Sequence, residues 1–131
     1  VNTDSTPMPR PPSHHEALIM PTPRLVSQLR DQLGRKLVAY LGNAKESRAV
    51  DRWVEGTRGH HSAKDVQRLR LAFQAAQLII AQESKEVVQA WFQGLNPLLG
   101  DISPARLLRE GNLDADGPRV IAAARQFTVV G

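Results

Sequence analysis

The chain has 131 residues, 41% of them hydrophobic, with 17 Lys or Arg, 13 Asp or Glu and no Cys. That length accommodates one domain, or two very small ones sharing a core. The absence of Cys excludes disulfides, thiolate nucleophiles and thiolate metal ligands.

The formal charge of +4 is unevenly placed: residues 24–70 hold eleven bases against five acids, and residues 83–131 hold five bases against six acids. A basic first half and a near-neutral second half predict two tasks. The first half fits either a polyanionic partner or an Arg-rich solvated face.

Residues 1–21 contain Pro7, Pro9, Pro11, Pro12 and Pro21 among Ser, Thr and Asn, and read as a disordered tail. His14-His15 within it lacks the three or four converging ligands of a metal site. No cleavable apolar leader is visible, and the longest apolar run, Leu78-Ile79-Ile80-Ala81, is too short to span a bilayer. A cytoplasmic location without membrane association is the expectation.

Seven helices follow in chain order. Thr22 as N-cap and Pro23 at the first helical position open one, with Leu25, Val26, Leu29 and Leu33 on one face and Gly34 as its stop. Leu37, Val38 and Leu41 form a second, ended by Gly42-Asn43. Ser47 is placed to cap a third, through Ala49, Val50, Trp53 and Val54 to Gly56. Residues 57–61 are expected to form a loop.

Ser62 and Asp65 make a near capping box for a long fourth helix. Its apolar residues lie on more than one side, as in a central strut, with Arg68-Leu69-Arg70 expected on the solvent face. Ser84 caps a fifth helix, with Val87, Val88, Trp91, Phe92 and Leu95 expected inward. Ser103-Pro104 opens a short sixth, ended by Gly111; Asp116-Gly117-Pro118 is expected to be a loop before a seventh through Val120, Ile121, Ala124 and Phe127. Thr128-Val129-Val130 is a weak strand candidate. The fold class is all-α.

No catalytic set stands out. Ser62 and Asp65 beside His60-His61 are better used as a helix cap than as a triad, whose members converge from distant points. Glu83 and Glu86 read as a solvated face, and Gly56-Thr57-Arg58-Gly59 lacks the Lys-Ser/Thr of a phosphate loop. The chain is therefore read as a non-enzyme with no cofactor.

Two motif sets carry a resemblance. Leu41-Gly42 followed by Val50-Asp51-Arg52-Trp53-Val54-Glu55-Gly56 resembles the helix-turn-helix of Xre-type regulators. The spacing from Gly42 to Trp53 is longer than usual there, the extra residues lying within Asn43-Ala44-Lys45-Glu46. Trp91, Asn96-Pro97, Leu99-Gly100, Ser103-Pro104, Leu107-Leu108 and Val120-Ile121 resemble, in that order, the toxin-binding domain of the Xre/MbcA/ParS antitoxin family.

The resemblance implies a type II antitoxin: residues 22–83 an Xre-like module and residues 84–131 a toxin-binding module. The partner it implies is a toxin enzyme, commonly an NAD-consuming RES-domain protein, whose active site the antitoxin occludes. It also implies operator DNA as a second ligand. Lys45, Arg48, Arg52 and Arg58 are the expected DNA contacts, since Arg pairs with guanine or phosphate.

Phe92, Leu98, Leu99, Ile102 and Phe127 are the expected exposed toxin anchors, with Arg119 and Arg125 as polar contacts. Trp53, Trp91, Pro97, Gly100, Pro104 and Leu107 are assigned structural roles. A homodimer is expected, formed through the apolar face of residues 25–33. A regulator without a toxin, or a helix-turn-helix kept only as scaffold, are the alternatives.

Overall fold

A computed structural model describes residues 20–56 and 61–130. The expected tail up to residue 19, the loop at 57–60 and Arg58 lie outside the described residues. Among those described, the regular elements are seven α-helices, one 3-10 turn and an isolated bridge between Asn96 and Ile102; no strand is present.

The helices are α1 (Thr22–Leu33), α2 (Arg35–Leu41), α3 (Arg48–Glu55), α4 (Ala63–Ile80), α5 (Lys85–Gln93), α6 (Pro104–Glu110) and α7 (Leu113–Val130). The all-α expectation holds, and Thr128 to Val130 continue α7 rather than forming a strand.

Local chemistry sets most boundaries. Ser62, Ser84 and Ser103 each accept the backbone N–H three residues on, at 3.0, 3.3 and 3.2 Å, satisfying one orphan donor of α4, α5 and α6. Gly34 ends α1, Gly42 ends α2, and Gly56 ends α3 in a left-handed conformation. Ser47 precedes α3 but makes no side-chain cap bond, because its own backbone is already helical.

The expected loop at Asp116-Gly117-Pro118 lies inside α7. Asn112 Oδ1 accepts the Asp114 and Ala115 N–H groups, and Asp116 Oδ2 accepts the Asn112 N–H, so the helix is nucleated before it reaches Pro118. A Cβ on Gly117 would lie 2.8 Å from Leu71 Cδ1. This glycine therefore marks the close approach of α4 and α7, not a turn.

α4 is the strut of the fold. It runs beside α7 and also packs on α1, α2, α5 and α6. Phe73, Leu69, Ile79, Ala72, Ala75 and Ala76 are fully buried, in one cluster with Leu25, Val26, Leu29, Val38, Phe92, Leu108 and Val120. Buried residues from both halves of the chain thus share one core. The expected dimer face of α1 is spent inside the molecule, since Leu25, Val26 and Leu29 are 0% and Leu33 3% exposed. No self-association can use that face without unfolding it.

The Arg68-Leu69-Arg70 segment also departs from expectation. Arg68 is buried, not solvent-facing. Its Nε donates to Leu108 O at 3.0 Å, and its Nη1 donates to Leu41 O at 3.0 Å and to Asp65 Oδ1 at 2.9 Å. Both carbonyls sit at helix C-termini, where no helical N–H reaches them. Arg70 donates to Met20 O at 2.8 Å and ties down the entry to α1.

Burial alone would raise the Asp65 carboxyl. The hydrogen bond and charge of Arg68, with the hydrogen bonds from Ser62, outweigh it and hold the carboxyl below its ordinary value.

Candidate protein-binding groove and basic edge

The end of α5 builds a turn with its own hydrogen-bond knot. Gly94 leaves helical geometry for an extended conformation, which swings Leu95 outward. Asn96 then organises the next six residues. Its Oδ1 accepts the Leu98 N–H at 2.9 Å, its carbonyl accepts those of Leu99 and Asp101 at 2.9 Å each, and its own N–H donates to Ile102 O at 3.2 Å. Pro97 starts the 3-10 turn Pro97–Leu99, and Gly100 and Asp101 close it with φ of +75° and +61°. A rigid loop results, pinned at both ends.

This turn, the end of α5 and the later part of α7 enclose an open apolar groove of about 590 Å³. Trp91, Leu95, Pro97, Leu98, Ala123 and Phe127 supply its apolar lining. Leu95 is 74% and Leu98 59% exposed; with Val129 they are the large exposed hydrophobic residues of the described structure. Two of those three thus flank one groove.

The expected anchors divide. Leu98 and Phe127 line the groove, with Phe127 half-buried. Phe92 and Leu99 do not: they are 0% and 1% exposed. Phe92 faces the core because α5 presents Val88, Trp91 and Phe92 inward, its ring edge-on to Trp91 at 5.1 Å. Leu99 is drawn inward by the 3-10 turn that pushes Leu98 out.

Ile102 is half-buried behind the turn. Arg119 pairs with Asp116 at 2.9 Å, and Arg125 is exposed; neither lines the groove. Leu95, expected inward, is a groove residue that sequence reasoning missed; the helix ends before it, and the extended backbone of the preceding Gly94 turns it outward.

Pro104 and Leu107 are buried, and Trp91 is both core and groove wall at 9% exposed.

The second region is the α2–α3 corner. Gly42 sits against the indole of Trp53; a Cβ there would lie 2.7 Å from Trp53 Cζ3. Arg109 of α6 donates to Tyr40 O at 2.6 Å and to Asn43 Oδ1 at 2.8 Å, with its guanidinium 5.0 Å from the Tyr40 ring centroid. Asn43, at φ +65°, is thereby fixed from the far half of the chain.

Lys45 is exposed on this turn, and Arg48 is exposed but joined to Glu46 at 3.2 Å. Arg52 is half-buried in a cleft with Trp53 and His61, whose rings meet edge-on at 4.6 Å. Asp51, on the same helix, is held by Arg35 at 3.0 Å and Arg30 at 3.3 Å, so its charge is compensated locally. Trp53 anchors α3 at 8% exposed.

Among the described residues no helix is long and apolar enough to cross a membrane, and no cluster of three or more His, Asp or Glu side chains could hold a metal ion. Comparisons with protein-family models, with curated proteins and with solved structures give no match to this chain.

Proposed function

We propose that this chain is a binding protein of the antitoxin type. In this reading it neutralises a partner toxin by seating it on the groove of Trp91, Leu95, Leu98 and Phe127. The carrying observation is the exposure of Leu95 and Leu98 beside that groove. Two large apolar side chains held out beside an apolar groove form a patch that a partner can cover, and fully burying each is worth about 1.5–3 kcal/mol. The resemblance in residues 84–127 supplies the class of partner, a toxin enzyme such as an NAD-consuming RES-domain protein, and the mode of action, occlusion of its active site.

Operator DNA is the second proposed ligand, carried by the short α2, its turn and α3, with Lys45 and Arg48 on the exposed edge. A stand-alone regulator is the alternative. A homodimer is part of the proposal only through surfaces other than the buried α1 face.

The test is purification of the tagged chain from its native cells with a high-salt wash, which strips nucleic-acid-mediated passengers. A small enzyme retained near stoichiometrically, and lost on Leu98→Glu, supports the antitoxin reading. Recovery of the chain alone refutes it in favour of the regulator. For DNA, Arg48→Ala with Arg52→Ala should weaken binding and flatten its salt dependence; an unchanged salt slope removes both residues as contacts.

A further inference from the structure

α5 is a ridge between two open clefts, one mainly apolar at its walls and one that adds cations to an apolar floor. On the flank of Ala90, Trp91 and Gly94 lies the apolar groove. On the flank of Gln89 and Gln93 lies a second open cleft of about 610 Å³, between α5, α2 and the start of α6. Its polar wall carries Arg35, Lys36, Tyr40 and Ser103, and none of its lining residues is acidic. Positions 89 and 93 and positions 90 and 94 form adjacent rows on a helix about 10 Å across, so one partner surface can reach both clefts.

Lys36 is the more accessible cation here, since Arg35 also serves Asp51. Lys36 is exposed, and the Arg35 side chain keeps 45% exposure while one of its nitrogens holds Asp51. Gln89 donates its amide to Gln32 O at 3.1 Å, which fixes the side chain at the cleft wall. The expected polar contacts, Arg119 and Arg125, line neither cleft.

We infer that the partner straddles α5, seating apolar side chains in the Trp91–Leu98 groove and acidic side chains in the Arg35–Lys36 cleft. This rests on the proposed function, and it names the chemistry of the partner: a protein surface with an apolar projection flanked by carboxylates. Charge complementarity across one helix, continuous with the proposed interface, selects this partner. The cationic cleft supplies orientation and on-rate, and the apolar groove supplies most of the affinity.

Two measurements test it. The isotopically labelled full chain is titrated at low salt with oligoglutamate, with oligolysine as control. Saturable amide shifts are expected at residues 34–37 and in the side-chain amides of Gln89 and Gln93, while the amides of Leu95 and Leu98 stay still. Lys36→Glu should weaken this binding about tenfold. Failure to saturate, shifts spread equally over Arg24, Lys64 and Lys85, or indifference to Lys36→Glu overturns the inference.

In the complex retained after the salt wash, Lys36→Glu should lower affinity at low salt and reduce its salt dependence, and Leu98→Glu should abolish binding at every salt. If Leu98→Glu has an effect and Lys36→Glu has none, this inference fails and the proposed function stands. If Leu98→Glu has no effect, the proposed function fails, and the inference with it.

Discussion

Arg68→Met isolates the interaction that joins the two halves of the chain. Met keeps most of the aliphatic volume, so packing is little disturbed. What is lost is the guanidinium that serves Leu41 O, Leu108 O and Asp65, all at 3.0 Å or less. Each stranded carbonyl costs about 1–3 kcal/mol, unless water reaches it. Asp65 keeps its bonds from Ser62 and a side chain 17% exposed, which lessens the loss of its counter-charge.

A total of about 3–5 kcal/mol is expected, a large share of the roughly 5–15 kcal/mol that holds a domain of this kind together. Urea unfolding followed by both far-ultraviolet dichroism and tryptophan fluorescence measures it. Coincident curves establish that the transition is two-state. In a cycle with Asp65→Asn, the two residues should couple by about 1–3 kcal/mol. A loss below about 1 kcal/mol for Arg68→Met would refute the assignment of Arg68 as a structural tie.

Phe92→Ala should cost about 3–5 kcal/mol in the same unfolding assay, as a core truncation; a near-neutral result would return Phe92 to the surface. Gly42→Ala should destabilise by about 1–3 kcal/mol and alter Trp53 emission, since the new methyl displaces the indole; unchanged stability and emission would show that the ring yields freely. Because the Asp65 carboxyl is lowered by folding, its contribution is present in full above its ordinary value of about 4 and is lost as pH falls through the lowered value. The stability difference between the native chain and Asp65→Asn should therefore shrink on acidification below about pH 4. A difference that stays constant to low pH would contradict the proposed bonding.

Most helix starts and stops were legible because they rest on short-range chemistry. Ser62, Ser84 and Ser103 cap from within four residues, Gly34 and Gly56 stop helices at positive φ, and Gly42 stops one where a Cβ would meet Trp53. Two of the misread places depend on distant partners. Gly117-Pro118 has the composition of a loop, and only the proximity of Leu71 gives that glycine its purpose. Arg68 has the composition of a surface residue, and only Leu41 and Leu108 explain its burial.

The candidate groove was half legible. Trp91, Asn96-Pro97 and the Leu pair marked the right segment, but the alternation of Leu98 outward and Leu99 inward depends on the Asn96 knot. The apolar face of α1 carried no sign of whether a second copy or its own chain would cover it.

The dependence of the Gly42–Asn43 corner on Arg68 and Arg109 has a consequence for the order in which the chain acquires its shape during synthesis. The ribosome delivers α2 and α3 well before residue 109, so the corner emerges without the donors that fix Tyr40 O, Leu41 O and Asn43. Its native geometry waits for α6 to emerge and dock, by which time the groove-forming turn at residues 94–102 has also been made. The basic edge is completed then, the apolar groove only when Ala123 and Phe127 of α7 have followed, and a chain arrested before α6 presents neither in finished form.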